Sequence, residues 1–328
     1  MSLPAQAPLW PQMRFVERGW LSANMVLFAD TDGASVVDTG YVLHAQQTVA
    51  LVQDWLDSAA PSPKANGDSS LAPPTLQRIL NTHLHSDHCG GNATLQAHWP
   101  QARTGVPPGQ IADVQQWDPQ ALSYVPTGQD CPRFGADHAL RAGDTLTLGG
   151  QCWQVHAAPG HDPHSIILFE PVRRLLISAD ALWQHGFGVV FPEIEGAQAF
   201  EEVAATLDVI EALQPQWVLP GHGPMFDDVR AALGRARQRL AGFVADPQRH
   251  ARYAAKVLLK YKLLEWQQRS LAQVQDWCLQ TPYLQLLHHR FFAAQSQPDW
   301  LAQLVQELVA SGAAALEHHN STPMLCNR

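Results

Sequence analysis

Residues 76–91 read LQRILNTHLHSDHCGG, and the rest of the chain can be interpreted outward from this segment. The first five residues, LQRIL, are mostly apolar and form a run short enough for a buried strand. The remainder contains an H-x-H-x-D-H motif, whose four ligand-type side chains suit a borderline metal such as Zn²⁺. These side chains are His83, His85, Asp87 and His88. We therefore predict a strand that ends in a cluster of metal ligands.

Three further strand-like segments are also followed by a residue that can ligate a metal. The segments and their ligand-type residues are 152–158 with His161, 174–179 with Asp180, and 217–219 with His222. A glycine before each of the two histidines lets the backbone turn sharply and bring the imidazole inward. If the four strands belong to packed sheets, their ends converge at one edge. Seven ligands then meet there.

Seven ligands suit two metal ions better than one, because Zn²⁺ is usually four-coordinate and a catalytic zinc takes three protein ligands and a water. One aspartate bridging the pair, with three ligands private to each ion, accounts for the whole set. Two ions can share a water and lower its pKa toward neutrality, so that the resulting hydroxide attacks the substrate. Asp87, next to that water, would orient it or shuttle its proton. The chemistry predicted from the residues alone is therefore hydrolysis.

The order of these motifs resembles that of the metallo-β-lactamase-fold hydrolases, which include glyoxalase II and related thioesterases, lactamases and RNA-processing enzymes. The resemblance covers roughly residues 13–225. The segments that carry it are, in family order, VVDTG, THLHSDHCGG, PGHDPHS, ISAD and LPGHG. It implies an α/β protein, an αββα sandwich with a dimetal site at one edge.

The same resemblance implies a role for each ligand-type residue. By position, the family's two sets of three metal ligands correspond to His83, His85 and His161 and to Asp87, His88 and His222. Asp180 matches the bridging carboxylate, and Asp38 matches the acidic residue that supports the ligands from behind. We expect two Zn²⁺ ions per chain, with Fe or Mn as alternatives.

Candidate pocket residues lie in two regions that border these motifs. Trp183 and His185 follow the bridging aspartate in a glycine-containing loop, which is expected at the pocket mouth, although ordinary loop packing is the alternative. Tyr124 lies in a proline-rich, irregular region and is a candidate oxyanion donor. Arg249 and Arg252 belong to a basic helical segment, which forms either a rim for an anionic substrate or a solvated helix face.

Composition divides the 328-residue chain into an acidic front and a basic tail. Apolar residues make up 46% of the chain and charged residues only 16%, so a sizeable core is expected and disorder is excluded. Residues 1–227 carry 9 Lys+Arg and 23 Asp+Glu, a charge of −14, whereas residues 228–328 carry 12 and 7, a charge of +5. We predict a catalytic domain over 1–227 and a mainly helical, winged-helix-like domain over 228–328, which ends in a hairpin.

Cysteine usage and the chain's hydropathy indicate a cytoplasmic location. The five cysteines are scattered without a C-x-x-C pair, which is typical of thiols in a reducing compartment. Cys89, directly after the metal motif, is expected to be a small buried filler. The N-terminus lacks a basic region followed by an apolar one, and no apolar run approaches the length of about 18 residues needed for a membrane helix. Residues 57–75 are predicted to form a polar surface loop.

Three functions remain open from the sequence. The favoured one is a metal-dependent hydrolase that cleaves an ester, thioester or lactam-type bond in a small, partly anionic molecule, because the ligands lie in the acidic portion. The second is an endoribonuclease or phosphodiesterase that uses the basic tail. The third is a mononuclear iron dioxygenase of the same fold. A small-molecule substrate, no membrane and a homodimer contact are expected, and nucleic acid is a partner only for the second function.

Overall fold

A computed structural model describes residues 10–59 and 74–328. Most of the loop predicted over 57–75 lies outside these described residues. The strands are β1 (Met13–Val16), β2 (Met25–Asp30), β3 (Gly33–Val37), β4 (Leu76–Leu80), β5 (Arg103–Val106), β6 (His138–Ala139), β7 (Thr145–Leu148), β8 (Gln151–Ala157), β9 (Ile166–Glu170), β10 (Leu175–Ala179), β11 (Trp217–Pro220), β12 (Gln268–Ser270), β13 (Ala314–His319) and β14 (Thr322–Asn327).

The helices are α1 (Ala45–Ala59), α2 (Ser86–Cys89), α3 (Asn92–His98), α4 (Ile111–Gln116), α5 (Tyr124–Thr127), α6 (Phe191–Glu195), α7 (Ala199–Leu213), α8 (Val229–Ala245), α9 (Pro247–Trp266), α10 (Leu271–Gln280), α11 (Pro282–Phe291) and α12 (Gln297–Ala310). Two 3₁₀ turns cover Val42–His44 and Pro108–Gln110. No helix in the described part of the chain is both long and apolar enough to cross a membrane.

Two sheets carry the predicted ligand segments at matching ends. The first sheet has the order β1-β2-β3-β4-β5-β6, with β3 to β6 parallel. The second has the order β11-β10-β9-β8-β7, in which β8 and β10 are both antiparallel to β9 and β10 is parallel to β11. Because β8, β10 and β11 therefore point the same way, their C-terminal ends meet at one edge of the sheet.

Apolar side chains between and outside the sheets build four layers. Phe28 of the first sheet and Trp153 of the second share the central core. On one outer face α1 and α3 cover the first sheet, and on the other α7 and α8 cover the second. This αββα arrangement confirms the predicted fold class, and it follows from two sheets that are each apolar on both faces.

The last four helices and a small sheet form the C-terminal region. Helices α9, α11 and α12 bury a common apolar cluster that includes Leu258, Leu284 and Trp300. The predicted terminal hairpin is confirmed, since β13 pairs antiparallel with β14, and the order of this sheet is β12-β14-β13. The winged-helix assignment remains a prediction.

Helix α8 packs against both predicted domains. It contributes Leu233 and Leu240 to the apolar cluster that it shares with α7 on the second sheet. The helix also contacts α9, the first helix of the C-terminal cluster. The predicted boundary between 1–227 and 228–328 remains a prediction.

Candidate metal centre

The structure brings the seven predicted ligands together at the sheet edge. His83, His85 and α2 follow β4, and the other ligands follow strands of the second sheet: His161 after β8, Asp180 after β10 and His222 after β11. The ligating atoms form three overlapping groups, within each of which all atoms lie within 4.8 Å of one another. The groups are His83, His85 and His161; His83, His88 and Asp180; and Asp87, His88 and His222.

The first group is made of imidazoles alone. Nδ1 of His85 lies 2.8 Å from Nε2 of His161 and 3.1 Å from Nε2 of His83. Burial, together with the neighbouring histidines, lowers the pKa of His83 well below its ordinary value and that of His161 to about 4. Both rings are therefore neutral at neutral pH, which is the form that ligates a metal.

Asp180 connects this group to the second one. Its Oδ2 lies 3.4 Å from Nε2 of His161, whereas its Oδ1 lies 3.3 Å from Nε2 of His88 and 3.8 Å from Nε2 of His222. Nε2 of His222 is also 3.0 Å from Oδ2 of Asp87. The two oxygens of Asp180 thus face different groups, which is the arrangement expected of a bridging carboxylate.

The donor set fits divalent cations on its own geometry. Nε2 of His88 is buried and makes no hydrogen bond to the described residues, although it points into the cluster. Buried polar atoms without partners are rare, and here a metal ion would supply the missing interaction. Nitrogen and carboxylate ligands in this number suit zinc and related transition metals.

Asp38 fixes the orientation of one predicted ligand, His88. It accepts hydrogen bonds from Nδ1 of His88 at 2.7 Å and from the backbone N–H and hydroxyl of Thr82 at 2.9 and 2.8 Å. Burial opposes a charge on His88, yet the carboxylates of Asp38, Asp180 and Asp87 raise its pKa well above the ordinary value. Since Nδ1 is bonded to Asp38, Nε2 is the nitrogen aimed at the cluster.

Two glycines allow the ligands to approach each other, and sequence reasoning identified only one of them. A Cβ on Gly221 would lie 2.3 Å from Oδ1 of Asp180, and a Cβ on Gly188 would lie 2.3 Å from Nδ1 of His161. His161 donates from that nitrogen to the carbonyl of Val189 at 2.5 Å. A side chain at either glycine would displace a ligand.

The ligand cluster forms the floor of a cavity of about 590 Å³. His85, Asp87, His161, Asp180 and His222 are all exposed to it. The walls come from the loop after Asp180, from α8 and α9, and from the end of α12. The side chains that line these walls include Trp20, Trp183, His185, Arg239, Tyr253, Lys256, Val257, Leu258, Lys260, Tyr261, Leu264 and Leu308.

Of the predicted pocket residues, the structure places Trp183 and His185 in the cavity wall but not the other three. Tyr124 is 3% exposed, and its hydroxyl lies 3.1 Å from Sγ of buried Cys89, because α5 packs inward on α2 instead of forming a lid. Arg252 is drawn away by an ion pair with Glu307 at 2.7 Å. Arg249 lies in the exposed first turn of α9, outside the cavity.

Sequence reasoning missed an aromatic contact at the mouth of the cavity. Trp20, 56% exposed, stacks on the ring of His222 with centroids 5.1 Å apart and an interplanar angle of 6°. The edge of Trp183 contacts the same imidazole at 5.4 Å, and Nε1 of Trp183 donates to Asp180 at 3.2 Å. Nothing near Trp20 in the sequence marks it, because the contact spans two hundred residues.

Comparisons with known proteins agree with this fold. The family model described as the metallo-beta-lactamase superfamily matches residues 18–222. A hydroxyacylglutathione hydrolase from Rhodobacter capsulatus is 34% identical over 148 residues, which cover 45% of this chain and 48% of that protein. An acyl-coenzyme A thioesterase from Bos taurus is 25% identical over 275 residues, covering 81% of this chain and 90% of that protein.

The extent of these matches differs between relatives. The alignments with hydroxyacylglutathione hydrolases span between 36% and 58% of the length of those proteins. A solved beta-lactamase domain protein from Burkholderia ambifaria is 20% identical, covers 100% of this chain and 95% of its own, and superposes with a TM-score of 0.54, which supports the fold. Because the family model accounts for more than half of the residues, the chain belongs to the metallo-β-lactamase superfamily.

Proposed function

We propose that this protein is a metal-dependent hydrolase that cleaves the thioester, or a related ester, of a small and partly anionic molecule. The observation that carries the proposal is Asp180, whose two oxygens face two separate ligand groups on the floor of a cavity. The names of the two relatives above, one for an acyl-glutathione and one for an acyl-coenzyme A, favour a thioester over a lactam.

Each ligand has a role in this proposal. His83, His85 and His161 would hold one ion, Asp87, His88 and His222 the other, and Asp180 would lie between them. When bound, two divalent ions, for which zinc is the first choice and iron or manganese the alternatives, supply Lewis acidity and lower the pKa of water.

Asp87 is the residue proposed to handle the proton of the attacking water. Its Oδ2 is 3.0 Å from His222, and its Oδ1 makes no hydrogen bond to the described residues, so that Oδ1 is left to accept from a water. The water adds to the carbonyl carbon, the bond to the leaving sulfur breaks, and the proton passes to that sulfur. Trp183 and one face of α9 border the cavity in which this step would take place.

The nuclease alternative is disfavoured by the charges of α9. A phosphodiester backbone needs unpaired cations, yet Arg252 and Lys256 both form ion pairs with Glu307, at 2.7 and 2.9 Å. Lys262 is likewise paired, with Glu265 at 2.7 Å. Three of the five Lys and Arg side chains of this helix are therefore engaged in ion pairs within the chain.

A substrate panel run together with metal analysis tests the proposal. The panel contains acyl-coenzyme A, acyl-glutathione, an aryl ester, a β-lactam and single-stranded RNA, each at low and high salt. We expect two zinc ions per chain, hydrolysis of a thioester that is lost on chelation and restored by zinc, and little effect of salt. One iron per chain, with oxygen uptake when a persulfide is supplied as substrate, would support the dioxygenase. Cleavage of RNA that depends steeply on salt would support the nuclease.

Three further predictions go with this function and remain predictions. They are a winged-helix-like C-terminal region, a homodimer and a cytoplasmic location. The C-terminal region follows the order helix, strand, helices and hairpin, with β14 central in its sheet, which supports the first of them.

A further inference from the structure

One face of α9 forms a continuous wall of the cavity. Tyr253, Val257, Lys260 and Leu264 all line it, at spacings of four, three and four residues, which is the pattern of a single helix face. At a rise of about 1.5 Å per residue, this face is about 16 Å long. The cavity is therefore long enough for an extended substrate parallel to the helix.

The metal centre opens onto the middle of this face, as two sets of contacts indicate. Near one end, Arg239 beside Tyr253 donates to the carbonyl of Phe187 at 3.4 Å, and the next residue, Gly188, donates to the carbonyl of Asp180 at 2.9 Å. Towards the other end, the hydroxyl of Tyr261 donates to the carbonyl of Leu21 at 3.2 Å.

The second contact leads to the other half of the ligand cluster. The backbone N–H of Ala23, two residues from Leu21, donates to the carbonyl of Asp87 at 3.0 Å. Tyr253 thus lies on the Asp180 side of the centre and Tyr261 on the Asp87 side. A substrate that extends along α9 with its carbonyl at the metals must place one arm at each end.

The Tyr253 end offers a cation that is free to bind an anion. Within residues 10–59 and 74–328, Arg239 forms no ion pair, whereas Lys256, also in the cavity wall, pairs with Glu307 at 2.9 Å. The Arg239 guanidinium lies 5.4 Å from the centroid of the Tyr253 ring. A Cβ on Gly186 would lie 2.5 Å from Cζ of Arg239, so the absence of a side chain there makes room for the guanidinium.

The other end presents apolar side chains from two helices, and the polar Thr127 and Gln129 also line the cavity. Leu264 and the ring of Tyr261 line it from α9, and Leu308 lines it from α12. Lys260 also borders this part of the cavity, but its ammonium group donates to the carbonyls of Ala313 at 2.7 Å and Arg328 at 2.9 Å. Its aliphatic stem is therefore the part left to face a ligand.

We propose that the substrate lies along α9 across the metal centre, with an anionic thiol leaving group at Arg239 and an apolar acyl chain between Leu264 and Leu308. This inference rests on the proposed function and adds the orientation and chemical class of the substrate. In the reaction, water adds to the acyl carbon, the carbon–sulfur bond breaks, and the products are a carboxylic acid and a free anionic thiol. Coenzyme A and glutathione share this leaving-group chemistry.

The anionic end is tested with one acyl group on three thiols: coenzyme A, glutathione and the neutral N-acetylcysteamine. In R239Q we expect kcat/KM for at least one anionic thioester to fall about tenfold or more, and that for the neutral thioester to fall much less. The anionic thioester whose kcat/KM falls more identifies the thiol, coenzyme A or glutathione, that Arg239 contacts. R230Q, on the exposed side of the same helix, is the matched control. Equal losses on all three thioesters, or none, would overturn the anionic end.

The apolar end is tested by the acyl chain length. In Leu264→Trp we expect the ratio of kcat/KM for dodecanoyl over acetyl thioesters to fall about tenfold, because the larger ring fills the acyl arm. Val244→Trp, at an exposed position outside the cavity, is the matched control. If Leu264→Trp does not fold, Leu264→Ala serves instead and should weaken only the longer chain. An unchanged ratio in a folded variant would overturn the apolar end.

The two proposals fail in distinguishable ways. If the wild-type protein hydrolyses no thioester while holding two metal ions, the proposed function fails and this orientation fails with it. If the wild type hydrolyses thioesters but R239Q and Leu264→Trp leave its preferences unchanged, only the orientation fails. Binding of free coenzyme A and of glutathione, measured by calorimetry, gives a readout that does not depend on turnover. We expect R239Q to weaken the tighter of the two about tenfold.

Discussion

The ligand cluster and the α9 wall of the cavity are built by different means. Each predicted ligand follows a strand end, and hydrogen bonds to Asp38 and to the backbone hold the rings of His88 and His161. The α9 wall is held by contacts between residues that are far apart in the sequence, such as the hydroxyl of Tyr41 with Glu265 at 2.7 Å. The contrast teaches that the predicted metal ligands can be recognised from local sequence, whereas the wall of the cavity depends on how the C-terminal region packs.

The distribution of charge illustrates the same difference. The tail has a net charge of +5, but Arg237, Arg252, Lys256 and Lys262 are all engaged in ion pairs within the chain. Arg239, which lines the cavity and forms no ion pair within residues 10–59 and 74–328, is one of twelve basic residues in this region. A net charge therefore indicates that cations are present without indicating which of them is available.

The largest effect is expected at the centre of the ligand cluster. Asp180→Asn should lower kcat by at least about 10³-fold, because the residue faces both ligand groups and the amide cannot balance two cations. Metal content, measured by elemental analysis, should fall below two ions per chain. Asp208→Asn, on the surface of α7, is the control. Full metal content and turnover in Asp180→Asn would remove the bridging assignment.

The next effect concerns His250, a residue of α9 that links the two regions. Its Nε2 accepts a hydrogen bond from the N–H of Val190, at 3.2 Å, next to the residue that binds His161. Burial lowers the pKa of His250 to about 4 from an ordinary 6.5. The folded protein therefore keeps His250 neutral, whereas the unfolded chain protonates it below pH 6.5. The free energy of unfolding is thus unaffected by this residue above pH 6.5 and falls by up to about 3 kcal/mol as the pH drops towards 4.

Denaturant unfolding of the metal-free protein between pH 7.5 and 4 measures this loss. Burial also lowers the pKa of His161 to about 4. The informative quantity is therefore the difference between wild type and His250→Gln, which keeps an acceptor but does not titrate. We expect the wild type to lose more stability with falling pH than this variant does. Exposed His319→Gln should behave as the wild type, and parallel curves for all three proteins would contradict the link.

The order of the motifs resembles the family closely enough to imply the αββα fold, and the strand ends predicted the edge at which the seven side chains meet. His161 and His222 follow glycines at strand ends, and parallel strands deliver such residues to one edge whatever the rest of the chain does. The residues of the cavity wall could not be predicted from the sequence, and the reason is physical. The α9 stripe of Tyr253, Val257 and Leu264 is visible as helical periodicity, but periodicity does not say which face of a helix packs over the metals.

The pocket residues predicted in the tail illustrate this limit. Arg252 lies on a basic helix face, and only the fold shows that it meets Glu307, which is 55 residues later in the chain. Tyr124 lies in a region whose prolines suggest a lid, yet its side chain is drawn under α2 by apolar burial. In both cases a tertiary contact outweighs what the local sequence favours.

A smaller effect is expected at the cavity mouth, where Trp20 belongs to neither region. Nδ1 of His222 is buried and has no hydrogen-bond partner among the described residues, so on that side the ring is held by its aromatic contacts with Trp20 and Trp183. Trp20→Ala should weaken zinc binding about 2- to 10-fold in chelator competition, as expected for loss of an aromatic pair. Trp20→Phe keeps a stacked ring and should stay close to the wild type; identical losses in both variants would point to the indole N–H instead.

The smallest effect is expected at Tyr124, whose hydroxyl contacts Cys89 and not the cavity. Tyr124→Phe removes one weak hydrogen bond to a thiol and leaves the ring in its apolar cluster with Trp117 and Phe134. The free energy of unfolding should fall by no more than about 1 kcal/mol, and kcat/KM should stay within about twofold, because no group that faces the substrate is lost. Steady-state kinetics and denaturant unfolding of the metal-loaded protein measure both quantities. A large drop in kcat with full metal content would mean that α5 turns outward during turnover and brings the hydroxyl to the oxyanion. In that case α5 would be a mobile element of the active site, in addition to the ligand cluster and the α9 wall.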